Sequence, residues 1–144
     1  MDPVVAPFAQ LLTINDRLIA RALDGLSDEE AWKHPGTDPN PIYWIAGHLA
    51  VYRNVLATAF GVGTELPWAS QFEMKKQPDP AAGGPPLADV RATLTTLSER
   101  LASRLGSLSD AELSATTERS FPIPDKTMRG MIAFMTYHET YHVG

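Results

Sequence analysis

Residues 127–144, TMRGMIAFMTYHETYHVG, decide the fold. Met128, Met131, Met135, His138 and His142 recur at steps of three and four, which is one stripe of an α-helix. Thr127 stands where such a helix is capped. The methionines turn the stripe toward a core, so both imidazoles lie at core depth with ring nitrogens that need partners. Residues four apart on a helix lie one above the other, so His138 and His142 are spaced to hold one metal ion. The plain alternative is a pair of satisfied core histidines.

Working outward, three further segments carry a helical apolar period. One runs from about Val5 to Leu23, with Phe8, Leu11, Leu12, Asn15, Leu18, Ile19 and Ala22 expected on its inner side. The next begins at NPIYWIAGHL, with Asn40 as expected cap and Pro41 at the first helical position, and runs to about Phe60, where GVG stops it. The third spans about Leu87 to Leu105, with Val90, Leu94, Leu97, Leu101 and Leu105 forming a seam. A long proline- and glycine-rich stretch, GVGTELPWASQFEMKKQPDPAAGGPP, joins the second helix to the third and reads as a partly mobile crossover. In ERSFPIPDK, prolines flank Ile123, so any strand there is short or at an edge. LDGLSDEE (23–30) and LGSLSDAE (105–112) share one pattern, with Ser27–Glu30 and Ser109–Glu112 as capping boxes. The echo reads equally as convergent capping or as an old duplication. The expected fold is all-α, one domain over 1–144, an antiparallel four-helix bundle with a long crossover between helices two and three.

Composition narrows the function. The chain has 144 residues, 44% hydrophobic and 20% charged, which suits one soluble core. A net charge of −5, with no basic cluster beyond Lys75-Lys76, argues against a nucleic-acid partner. No apolar run reaches the roughly 18 residues of a membrane span, and no signal peptide opens the chain. There is no cysteine, which excludes disulfides, thiolate zinc sites and cysteine nucleophiles, and fits a cytoplasmic location.

His138-Glu139-Thr140-Tyr141-His142 has the form H-E-x-x-H, but a zinc protease takes its third ligand downstream and only Val143 and Gly144 follow. A third ligand must come from upstream. His34 lies in WKHPGTDP, turn chemistry, and is expected to be exposed. His48 shares a face with Ile45, Leu49, Tyr52 and Leu56 and points inward. The expected site is therefore His48, His138 and His142, with small Ala46 and Gly47 allowing a close helix neighbour. Zinc or nickel suits three imidazoles with open positions. Glu139 is a candidate base toward metal-bound water, or a carboxylate orienting a ligand, or a residue facing solvent. Trp44, Tyr52 and Tyr141 are expected to line a pocket or to be core, and Trp68 and Phe72 to form a lid or a dimer contact.

With Gly47-His48-Leu49 in the second helix and His138 to Gly144 in the fourth, the chain resembles the DinB/YfiT-like superfamily over essentially its whole length. The resemblance implies a four-helix bundle with a divalent metal on three histidines, often a homodimer. It also implies activities such as transfer of low-molecular-weight thiols, mycothiol or bacillithiol, and maleylpyruvate isomerisation. Relatives usually continue the last helix past the H-x-G step, so a continuation beyond Gly144 is expected. The resulting expectation is a metal-dependent enzyme that adds a thiol to a small electrophilic molecule. A metal-dependent hydrolase and a non-catalytic metal-stabilised bundle are the rivals.

Overall fold

The computed structural model describes residues 1–34, 36 and 40–144. It contains α1 (Ala6–Leu23), α2 (Asp28–Ala31), α3 (Ile42–Ala59), α4 (Leu87–Ser107), α5 (Asp110–Ser114) and α6 (Met128–Val143). Single 3-10 turns lie at Ala69–Gln71 and Pro80–Ala82 in the crossover. Among the described residues no strand forms; one isolated antiparallel bridge joins Thr116 to Thr127 and closes the proline-rich loop ahead of α6. No helix is long and apolar enough to cross a membrane among these residues.

Helix α3 packs on α4 and α6, and α1 packs on the same two, so the four long helices close into a bundle. Two apolar clusters fill it. One gathers Leu12, Leu56, Phe60, Leu97, Leu101, Leu105, Met131, Ile132 and Met135. The other gathers Ile19, Leu23, Trp44, Leu49, Phe72, Leu87, Val90 and Leu94. The order in which each helix meets these clusters gives its direction. Helices α1 and α6 run from the first cluster to the second, whereas α3 and α4 run from the second to the first. The expected antiparallel pairing thus applies to α1–α4 and α3–α6. The crossover carries the chain back so that α3 and α4 lie parallel.

Local chemistry sets the ends. Both capping boxes form: Ser27 and Glu30 at α2, Ser109 and Glu112 at α5, each serine hydroxyl accepting from the glutamate's backbone N–H while the carboxylate accepts from the serine's. Hydrogen bonds from the Ser109 hydroxyl and backbone N–H, together with Arg104, hold the Glu112 carboxyl at about 2. Helix α3 ends as GVG predicts. Gly61 has φ +75°, Val62 N–H donates to Ala57 O at 2.9 Å and Gly61 N–H to Thr58 O at 3.0 Å, closing a Schellman motif. Thr127 caps α6 through Gly130 N–H.

Three local expectations change. Asn40 does not cap α3; Pro41 occupies the cap position and no side chain bonds there. The inner face of α1 is narrower than its apolar content suggests: Leu12, Asn15, Ile19 and Leu23 are buried, while Leu11 and Leu18 are 40% and 46% exposed. Two neighbouring helices cover only one stripe of α1, and Leu11 and Leu18 fall beside it. Phe72 is not an exterior contact: it is 1% exposed, inside the second cluster.

Leu97→Ala should cost about 2–5 kcal/mol, because Leu97 is fully buried in the first cluster. Ser109→Ala should cost about 1 kcal/mol, by loss of a cap on an exposed short helix. Urea unfolding of the two variants checks both values; a Ser109→Ala effect equal to that of Leu97→Ala would contradict this partition.

Candidate metal centre

Helix α3 is apolar on almost every side, and His48 lies buried on it at 2% exposure. Its Nδ1 is 2.7 Å from the backbone carbonyl of Phe72 in the crossover. A carbonyl only accepts, so Nδ1 carries the proton and the neutral ring presents a lone pair at Nε2. From α6, His138 brings its Nε2 to 3.2 Å from His48 Nε2. His142 follows one turn later, and the three rings have centroids 4.7–5.1 Å apart. One ring nitrogen from each lies within 4.8 Å of the others. Thus the structure brings together His48, His138 and His142. His34, the other upstream candidate, is exposed as expected, and Pro35 beside it lies outside the described residues.

The donor set fits a divalent ion. Two nitrogens bound tetrahedrally to one zinc ion at 2.0–2.1 Å stand about 3.3 Å apart, close to the His48–His138 separation. All three imidazoles are also held neutral, as ligands must be. Burial pushes the His138 pKa down to about 4, helped by the adjacent His142 and His48. Burial lowers His48 against the opposing pull of the Phe72 carbonyl, and burial lowers His142.

Aromatic walls surround the cluster. Trp44 stacks on His48 at 4.8 Å, and Tyr52 leans on both His48 and His138 at 4.5 and 4.8 Å. Trp44 is buried and Tyr52 half-buried. Tyr141 instead stands 70% exposed with its ring against the outer edge of His142, so it does not belong to the core.

Glu139 is 4% exposed and does not face solvent. Its two oxygens accept from Arg53, at 2.9 Å from Nε and 2.6 Å from a terminal nitrogen. Arg53 also donates to Asp16 of α1 and Ser98 of α4. Burial works against the Arg53 charge, but Glu139 and Asp16 outweigh it and raise its pKa further. One guanidinium from α3 therefore ties α1, α4 and α6 together, and its partner on α6 is next in sequence to the candidate ligand His138. Sequence reasoning misses Arg53 and Asp16. A signal is nonetheless present: Arg53 is the single charged residue in IYWIAGHLAVYRNVLATA, a segment otherwise apolar enough to be buried all round.

A family model described as the DinB superfamily matches residues 11–144. No curated protein matches the chain.

Two outcomes follow from this geometry. Glu139→Gln should cost about 3 kcal/mol in urea unfolding, toward the low end for a broken buried pair because Asp16 still serves Arg53; an unchanged midpoint would contradict the pairing. In metal-free protein, the folded His138 takes its proton near about 4 and the unfolded one near 6.5. Between these values the unfolded chain binds more protons, so stability should be full above about pH 6.5 and fall as pH drops toward 4. His138→Gln should flatten that slope in urea midpoints measured across the range.

Proposed function

The chain belongs to the DinB superfamily, and from that premise we propose that it is a divalent-metal-dependent enzyme, a thiol-dependent S-transferase acting on small electrophiles. The convergence of His48, His138 and His142 carries this reading. A divalent ion held by three neutral imidazoles supplies a Lewis acid with open positions, able to lower the pKa of a bound thiol or water or to polarise a carbonyl. Zinc and nickel are the ions the donor set favours. The protein has no cysteine of its own, so the thiol enters as a cosubstrate.

The chain's own groups perform the rest. The Phe72 carbonyl keeps the His48 lone pair on Nε2. Trp44 and Tyr52 cover the imidazoles and limit water around them. Glu139 stays in the proposal as the candidate base, sharing its carboxylate with Arg53. Loss of turnover with intact zinc binding in Glu139→Gln assigns it that role; loss of stability alone leaves it as the partner of Arg53.

A metal-dependent hydrolase is the second reading. It draws support from a small void where Tyr52, Arg53, His138 and Glu139 meet apolar Leu12, Leu49, Leu56 and Met135, at the lower limit of the room that one water needs. Cytoplasmic residence and a homodimer belong to the same proposal. For the homodimer, support comes from Leu11, Ile14 and Leu18 on α1 and Tyr137 and Tyr141 on α6, all 40–70% exposed. These flank the Asn15–Thr140 hydrogen bond between the two helices.

Elemental analysis of protein purified from its own host should find zinc or nickel near one per chain, and His48→Ala should lose it. Full metal content in that variant would overturn the three-histidine reading. Electrophile consumption that needs an added thiol supports transfer; equal consumption without thiol favours hydrolysis. A chain that unfolds when stripped of metal and turns over neither would be a metal-stabilised bundle.

A further inference from the structure

The crossover reaches the candidate metal centre through Phe72. Its carbonyl accepts from His48 Nδ1 at 2.7 Å, and its side chain is 1% exposed. The ring is held from three sides. Trp68 meets it edge-on at 5.4 Å and Tyr43 lies tilted at 5.6 Å. The third side is Gly47, immediately before His48. A Cβ built on Gly47 would stand 2.3–2.7 Å from Cδ1, Cε1 and Cγ of the Phe72 ring. Such distances are below any tolerated contact, and a ring packed on its other faces has no room to retreat. So the same segment, Gly47-His48, supplies both the floor on which Phe72 sits and the imidazole that the Phe72 carbonyl orients.

We propose that Phe72 is a positioning residue for the metal centre: its ring seats on the bare Gly47 backbone, and this seat fixes the carbonyl that holds His48 in the Nδ1–H tautomer. The inference rests on the reading of His48, His138 and His142 as metal ligands. The ring's function is indirect, because the bond to His48 comes from the main chain. Any residue at 72 offers a carbonyl; a large apolar side chain at 72 and none at 47 put it in place. Metal-ligating imidazoles depend on such outer partners for orientation, and losing one typically lowers metal affinity about 10–100-fold. Linkage makes the coupling mutual, so metal at His48 stabilises the seated crossover by the same factor.

The test uses zinc(II) with the full chain. Gly47→Ala should bind zinc about 10–100-fold more weakly. Phe72→Ala should show a comparable loss, and adding Gly47→Ala to Phe72→Ala should cost little more, because the clash has gone. Phe72→Leu should recover part of the affinity. The ring nitrogens of His48, read by 1H–15N NMR in zinc-free protein, should show the Nδ1–H tautomer in the wild type and a mixture in Phe72→Ala. A purely structural role for Phe72 would lower the unfolding midpoint and leave that signature unchanged. Wild-type zinc affinity in Gly47→Ala, or an unaltered tautomer in Phe72→Ala, overturns the inference alone. Absence of zinc binding by the wild type overturns the metal reading beneath it. If Gly47→Ala does not fold, zinc affinity and tautomer in Phe72→Leu and Phe72→Ala decide the same question.

Discussion

A charge placed inside a bundle must be met, and here every long helix meets the same one. Arg53 on α3 is 4% exposed, and its partners are Asp16 on α1, Ser98 on α4 and Glu139 on α6. Three of these positions share another property. On α1, α3 and α6 they fall between the residues of the first apolar cluster and those of the second, while Ser98 lies one residue inside the first cluster, next to Leu97. The bundle is thus two apolar layers separated by a polar plane. Burying a salt bridge contributes little net stability compared with apolar packing, since desolvation offsets the attraction. What it does supply is register. Sliding one helix by a turn would leave a guanidinium or a carboxylate unpaired at core depth, a far larger cost than a shifted leucine.

That register matters for the histidines. Glu139 follows His138 directly, so the pair that fixes α6 against α3 also fixes the height of His138 against His48. A separation of 3.2 Å between two ring nitrogens tolerates no drift along a helix whose rise is about 1.5 Å per residue. The polar plane and the imidazole cluster are therefore one construction. The first sets helix heights, and the second uses them. Phe72 completes it from outside by deciding which nitrogen of His48 is free.

The sequence discloses the parts governed by local rules. The seam from Val90 to Leu105, the two capping boxes, the GVG stop and the inward turn of His48 and His138 all follow from period or from turn chemistry. It is less informative where two distant segments set the outcome. Leu11 and Leu18 look internal because they are apolar, yet exposure depends on how wide a stripe the neighbouring helices cover. Phe72 sits in a stretch without period, so nothing marks it as core; its place follows from a glycine 25 positions earlier. The spacing of Glu139 relates it to the histidines, while its actual partner, Arg53, lies on another helix.

The crossover has one more consequence, in chain entropy. It is anchored at Thr64, whose backbone exchanges two hydrogen bonds of 2.8 Å with the Asn54 side chain, at Phe72 on Gly47, and at Pro85, whose carbonyl accepts from Tyr43. One long excursion thereby becomes several short closures, each cheap to form and only weakly sensitive to its own length. Of these spans, the one between Phe72 and Pro85 is largely exposed. It is where added residues would disturb the imidazole cluster least, whereas a single insertion between Thr64 and Phe72 would reach it directly.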